Sequence, residues 1–129
     1  MIRIASRSIL ASTLLAACSL VQVAYAQSPA TAMDGVLVGP NQMTLYVFDR
    51  DTAGSGKSVC NGGCATNWPP LAAPSGAAAM GDWGIVTRDD GSKQWAYKGR
   101  PLYYWAKDSK PGDKTGDGFA NNTWHVAKP

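Results

Sequence analysis

Past residue 27 the hydrophobic positions come in short beats of period two, and no stretch sustains the 3.6-residue period of a helix. Val36-Leu37-Val38, a Gly39-Pro40-Asn41-Gln42 turn and Thr44 to Asp49 predict a β-hairpin with a four-residue loop. Trp83 to Arg88, the turn Asp89-Asp90-Gly91-Ser92, Lys93 to Tyr97, the turn Lys98-Gly99-Arg100 and Leu102 to Lys107 predict a three-stranded meander. Thr123 to Ala127 predicts a closing strand. Trp68-Pro69-Pro70-Leu71 is at most an edge strand, because two prolines remove ladder donors. Asp51 to Gly63, Ala72 to Gly81 and Asp108 to Gly118 are Gly, Ser, Ala and Asp rich and read as loops, with a single helical turn near Ala77. The fold class expected is all-β: one small domain with long Gly/Asp-rich loops.

The strand pattern also repeats. Thr44 to Asp51 reads T-L-Y-V-F-D-R-D and Pro101 to Asp108 reads P-L-Y-Y-W-A-K-D. Leu45, Tyr46, Phe48 and Asp51 answer to Leu102, Tyr103, Trp105 and Asp108 at an offset of 57 positions. Asn67-Trp68 is echoed by Thr123-Trp124, one residue out of step. A period of this length implies one supersecondary unit used twice, hence two pseudo-symmetric halves, with copies at about 35–71 and 92–127.

The amino-terminal segment differs in kind. Arg3 and Arg7 precede a largely apolar run from Ile9 to Val23, the pattern of an export signal rather than a membrane span. Two processing sites compete. Ala24-Tyr25-Ala26 fits cleavage before Gln27, making 1–26 a signal peptide. Leu15-Ala16-Ala17-Cys18 fits a lipobox, making 1–17 the leader and Cys18 a lipidated mature terminus. Either predicts an exported protein, periplasmic or in the cell envelope, soluble or lipid-anchored, touching a membrane only through Cys18. Residues 27–34 read as a linker and 35–129 as the β domain.

Removing the leader takes Arg3 and Arg7 away, and the charge of Gln27 to Pro129 falls from +3 to +1. No basic block survives, which speaks against nucleic-acid binding. There is no Glu, only one His (His125), and five Trp. Cys60 and Cys64, in C-N-G-G-C, are an even pair in an exported domain. A disulfide staple is the simplest reading, with Gly62-Gly63 letting the backbone close. The spacing is not C-x-x-C and no helix is expected after it, which weakens a redox role.

Strand alternation puts Tyr46 with Phe48, and Tyr103 with Trp105, on one face of each repeated strand. Two readings stay open. The rings are core, with Asp51 and Asp108 capping the following turns through their own backbone. Alternatively Tyr46, Phe48, Asp51, Tyr103, Trp105 and Asp108 form a binding platform across the pseudo-dyad.

The two Y-x-[FWY]-x-x-D matches, with C-N-G-G-C-A-T-N-W-P-P-L and the P-L-Y-Y-W…P-G-D…W run, resemble the secreted-repeat lipoproteins of bacteria over Gly35 to Trp124. The resemblance implies an exported, often lipid-anchored, tandem-repeat β domain. It implies no reaction.

No catalytic constellation emerges. A Ser-His-Asp arrangement would have to use His125 and lacks a nucleophile elbow. Met33, Met43, Met80 and His125 are soft ligands without ligand spacing, and scattered methionines usually fill core gaps. Asp108, Asp113 and Asp117 lack the register of a calcium loop. No cofactor and no metal site is expected. The function expected is non-enzymatic binding of an envelope ligand or protein, or a structural role. The alternative is a redox or copper/haem-handling protein using Cys60, Cys64, His125 and the methionines.

Overall fold

A computed structural model describes residues 28–129. The signal-peptide segment, both processing sites and Cys18 lie outside the described residues. Seven short strands and two helical turns follow in the order β1 (Thr31–Met33), β2 (Val36–Val38), β3 (Tyr46–Phe48), α1 (Gly63–Asn67), β4 (Trp83–Thr87), β5 (Lys93–Tyr97), β6 (Arg100–Pro101), α2 (Phe119–Asn122) and β7 (Trp124–Val126). All pairing between these strands is antiparallel, in the sheets β1-β2, β3-β7 and β4-β5-β6. The domain is all-β with two very short helical turns. No helix among the described residues is long and apolar enough to cross a membrane.

The expected elements are present, but several connect differently. Residues 27–34 are not simply a linker: Thr31–Met33 forms β1 and pairs with β2 through an Asp34-Gly35 turn, both residues at positive φ. The hairpin from Val36 survives at its root, where Leu45 N donates to Leu37 O at 2.9 Å, but β3 then leaves to pair with β7. Likewise the third meander strand shrinks to Arg100–Pro101. The chain beyond it forms bridges from Tyr103 to Tyr46 and to Pro70 instead. A helical turn does follow Cys60, since α1 begins at Gly63 and includes Cys64.

The changed pairing of β3 and of the third meander strand has one cause: the two copies exchange their last strands. Leu37, Leu45 and Ala127 close a circuit of backbone bonds, Leu37 N to Ala127 O, Ala127 N to Leu45 O and Leu45 N to Leu37 O, at 2.8–2.9 Å. Trp95, Leu71 and Leu102 close the equivalent circuit at 2.9–3.0 Å, with the strand from the first copy now inserted into the second. Asp49 N to Thr123 O and Ala106 N to Asn67 O, both 2.9 Å, are a further symmetric pair. The repeats are therefore two interlocked halves of one core.

Each central strand is buried on both faces. Leu37, Leu45, Leu71, Trp95, Leu102 and Ala127 form a mostly aliphatic cluster on one side. Tyr46, Phe48, Trp68, Tyr103, Trp105 and Trp124, with Cys60, form an aromatic cluster on the other. Burying so many rings supplies the large apolar area a small domain needs.

Candidate functional site

The aromatic cluster is symmetric about the pseudo-dyad. Phe48 stacks on Trp124 (centroids 4.2 Å apart), Trp124 on Trp68 (3.7 Å) and Trp68 on Trp105 (4.0 Å). The column is its own mirror under the repeat: Phe48 exchanges with Trp105, and Trp124 with Trp68. Each tyrosine meets the tryptophan of its own copy edge-on, Tyr46 on Trp68 at 5.4 Å and Tyr103 on Trp124 at 5.1 Å. Edge-on and offset-stacked rings are the arrangements favoured by the ring quadrupole.

The hydroxyls cross over. Tyr46 Oη donates to Asp108 Oδ2 at 2.6 Å, and Tyr103 Oη donates to Asp51 Oδ2 at 2.5 Å. The tyrosine of each Y-x4-D stretch thus bonds the aspartate of the other copy. Each aspartate uses its second oxygen to hold the loop that follows it: Asp51 Oδ1 accepts Val59 N at 2.8 Å, and Asp108 Oδ1 accepts Thr115 N at 3.1 Å and Thr115 Oγ1 at 2.6 Å. This corrects the expectation of a local turn cap. The bonds reach seven and eight residues downstream and organise whole loops.

The two arms differ in their surroundings. Tyr103 Oη also lies 2.6 Å from Ser58 Oγ, and Arg88 Nη1 donates to Ser58 Oγ at 3.0 Å and Gln94 Oε1 at 2.7 Å. Arg88 Nη2 donates to Cys60 O, so a buried guanidinium is satisfied entirely by neutral acceptors. Desolvation raises the Asp51 carboxyl above its usual range, while the bonds from Tyr103 and Val59 and the charge of Arg88 oppose the rise. Burial, then the carboxylate partner, pushes both tyrosine hydroxyls well above their ordinary value. In the other arm Tyr46 Oη accepts Gly116 N at 3.3 Å, and Asp108 is half-exposed.

Of the six predicted motif residues, Tyr46, Phe48, Asp51, Tyr103 and Trp105 are buried and Asp108 is half-buried with both oxygens bonded. Most of these side chains face inward, while Trp105 and Asp108 also line a surface cleft of about 260 Å³. Among the described residues no buried side-chain polar atom lacks a partner. Cys60 and Cys64 form a disulfide with Cα atoms 5.2 Å apart, Cys60 buried against the aromatic cluster. No sequence pattern marks Arg88, Ser58 and Gln94, because their network spans both copies and the Tyr46–Asp108 arm has no counterpart of it.

The open chemistry lies on the far face of β3 and β7. A surface cleft of about 530 Å³ is floored by Val47, Leu102 and Ala127 and rimmed by Lys98, Arg100, Lys128 and His125. His125 Nε2 sits 2.8 Å from Asp49 Oδ2. Among the described residues, Lys98, Arg100 and Lys128 have no ion-pair partner. Met33, Met43 and His125 line three different clefts, and Met80 packs on the aliphatic cluster, so the soft ligands do not converge.

No curated protein and no solved structure matches the chain. One family model does, the model of a secreted repeat of unknown function, and it matches twice, over residues 28–72 and 84–128. Those bounds begin before β1 and after the Ala-rich connector, and each copy contributes one strand to the other's circuit. The chain belongs to this family of secreted repeats of unknown function, Lipoprotein_15, and its two copies build a single interlocked domain.

Proposed function

We propose that the protein is a non-enzymatic binding module of the cell envelope that takes an anionic ligand at the cleft over β3 and β7. The observation that carries this reading is the division of labour between faces. The motif tyrosines and aspartates are engaged in internal hydrogen bonds, whereas Lys98, Arg100 and Lys128 rim an apolar floor and, among the described residues, have no carboxylate partner. Cations around an apolar depression suit a partner with an anionic group on a small apolar body, because the floor gains from burial and the rim from charge. Asp117 shares the rim but accepts Val126 N at 3.0 Å and is engaged in holding β7.

Export to the periplasm or envelope, with or without a lipid at Cys18, fits the basic and apolar leader and the secreted character of the family. The anion-binding reading is favoured over the copper or haem alternative by the placing of Met33, Met43 and His125 in three different clefts.

Titration of isotope-labelled protein with aliphatic carboxylates and organophosphates, followed by NMR, tests the reading. Shifts confined to Val47, Lys98, Arg100, His125 and Lys128, lost in the Lys98→Ala/Arg100→Ala variant, are expected. Saturable shifts centred on Trp105 and Asp108 instead, or none with any anion, would refute it.

A further inference from the structure

We propose that the aromatic column is a one-electron relay that carries oxidising equivalents from Trp105, which lines a surface cleft, to the carboxylate-bonded tyrosines Tyr46 and Tyr103. Three observations carry this. The rings of Trp105, Trp68 and Trp124 are in continuous contact, at 4.0 and 3.7 Å between centroids. Both tyrosines touch that column, Tyr46 at Trp68 and Tyr103 at Trp124. Each phenol already holds its proton against a carboxylate oxygen, at 2.6 and 2.5 Å.

A phenol is hard to oxidise while it keeps its proton, because the radical cation is a strong acid. An aspartate in hydrogen-bond contact removes that obstacle by accepting the proton as the electron leaves. The opposite face also holds rings, with Trp83 packed on both Trp95 and Tyr97. What sets the aromatic column apart is that both tyrosines touching it bond a carboxylate.

The two ends of the column differ in their rings, and exposed Phe119 packs against the Trp105 end at 4.7 Å between centroids. Phe48 terminates it in the first copy, and a phenyl ring is not oxidised under conditions that oxidise an indole. Trp105 terminates it in the second copy, where it lines a surface cleft of about 260 Å³ beside Met43, Tyr104 and Asp108. Entry is therefore at Trp105. The oxidant class is an oxygen-centred radical such as a peroxyl radical, met outside the cytoplasm. It takes one electron from Trp105 and leaves as a peroxide anion, which is protonated by water. The vacancy passes to Trp68 and Trp124 and is filled by an electron from Tyr46 or Tyr103. The phenolic proton moves to Asp108 or Asp51, leaving a neutral tyrosyl radical and a protonated carboxyl.

The two sinks differ in solvent access. Asp108 is half-exposed and can pass its proton to water, whereas Asp51 is 8 % exposed and sealed by Ser58 and the Arg88 network. The Tyr103 radical should be the longer-lived of the two.

The test is one-electron oxidation of the disulfide-bonded chain by photogenerated tris(bipyridyl)ruthenium(III), read by transient absorption and electron paramagnetic resonance. A tryptophan radical that decays into a neutral tyrosyl radical is expected, with the conversion slowed in D2O. The tyrosyl signal should be lost in Tyr46→Phe/Tyr103→Phe and retained in Tyr97→Phe/Tyr104→Phe. Trp68→Phe, which keeps a ring in the stack, should abolish the conversion. A tryptophan radical as the final species in the unaltered chain, a signal lost with Tyr97 or Tyr104, or a rate indifferent to D2O would overturn the relay. The end species and the isotope effect need no variant and so do not depend on any substitution folding.

Discussion

Tyr46 and Tyr103, equivalent residues of the two repeats, lie directly opposite each other and exchange both backbone hydrogen bonds, Tyr46 N to Tyr103 O at 2.7 Å and Tyr103 N to Tyr46 O at 3.0 Å. The pseudo-dyad passes between them, so their side chains diverge to the aspartates of opposite copies. Backbone pairing, ring packing and the two Tyr–Asp bonds thus all join one copy to the other.

The crossed bonds should be worth more than ordinary ones. A bond to a charged partner contributes about 1.5–3 kcal/mol, and each hydroxyl is buried. Tyr103→Phe is expected to lower unfolding free energy by about 2 kcal/mol in urea titrations. In a Tyr46→Phe/Asp108→Asn cycle the coupling should exceed about 0.5 kcal/mol, while Tyr46→Phe/Asp51→Asn should be additive. Coupling within a copy rather than between copies would contradict the crossed arrangement.

Part of this was legible in the chain. The offset of Leu45, Tyr46, Phe48 and Asp51 onto Leu102, Tyr103, Trp105 and Asp108 shows two similar units, and alternation places the rings on one face. Strand exchange was not legible, because local pattern specifies a strand without specifying its partner. Leu71 reads the same whether it pairs with its own copy or with Leu102. β1 was hidden for another reason: all three of its residues are exposed, so Thr31-Ala32-Met33 carries no inward periodicity. The pairing of Asp51 with Val59 and of Asp108 with Thr115 spans loops whose composition signals only irregular backbone.

Alkaline pH should unfold the domain through the buried phenols. Burial raises Tyr46, Tyr103 and Tyr104 above the ordinary value near 10, so the folded state keeps protons that the unfolded chain releases. The stabilisation is fully present below about pH 10 and declines above it, by about 1.4 kcal/mol per pH unit for each such group. Urea midpoints between neutral pH and pH 11 should fall steeply only beyond about pH 10. The fall should be shallower in Tyr46→Phe/Tyr103→Phe. Asp51 acts in the opposite range: its raised carboxyl binds a proton sooner when folded, so its contribution grows as acid protonates it.

Gly116 is a packing requirement. A Cβ there would stand 2.7 Å from Trp68 Cη2 and 3.0 Å from Trp105 Cγ, both within the stacked column. Neither ring can retreat without breaking contacts on its far side, so Gly116→Ala should cost about 1–3 kcal/mol. Near-UV circular dichroism, dominated by the stacked indoles, should weaken in parallel. Gly76→Ala, in the connector with open space around it, is the control and should leave both unchanged.

The disulfide should matter modestly and resist reduction. It closes a loop of only a few residues, for which chain entropy predicts about 2 kcal/mol. Cys60→Ser/Cys64→Ser is therefore expected to melt roughly 10 °C lower while keeping the fold. Cys60 is fully buried and Cys64 half-buried, so reductant reaches the bridge only from the Cys64 side, and native protein should react more slowly than urea-unfolded protein. Equal rates would mean that the loop opens freely.

Strand exchange makes the connector dispensable and each copy dependent on the other. Leu71 closes the second copy's circuit with Trp95 and Leu102, while Ala127 closes the first copy's with Leu37 and Leu45. A protease site inserted at Gly76, an exposed connector glycine, should yield a nicked protein whose fragments co-elute and retain near-UV circular dichroism. The separated fragment ending at Gly76 lacks both the Ala127 strand and the Asp108 acceptor for Tyr46. It should give an unfolded spectrum alone and recover the native one when mixed with its complement. Independent folding of either fragment as a monomer would show that the exchanged strands are not what holds the two copies together.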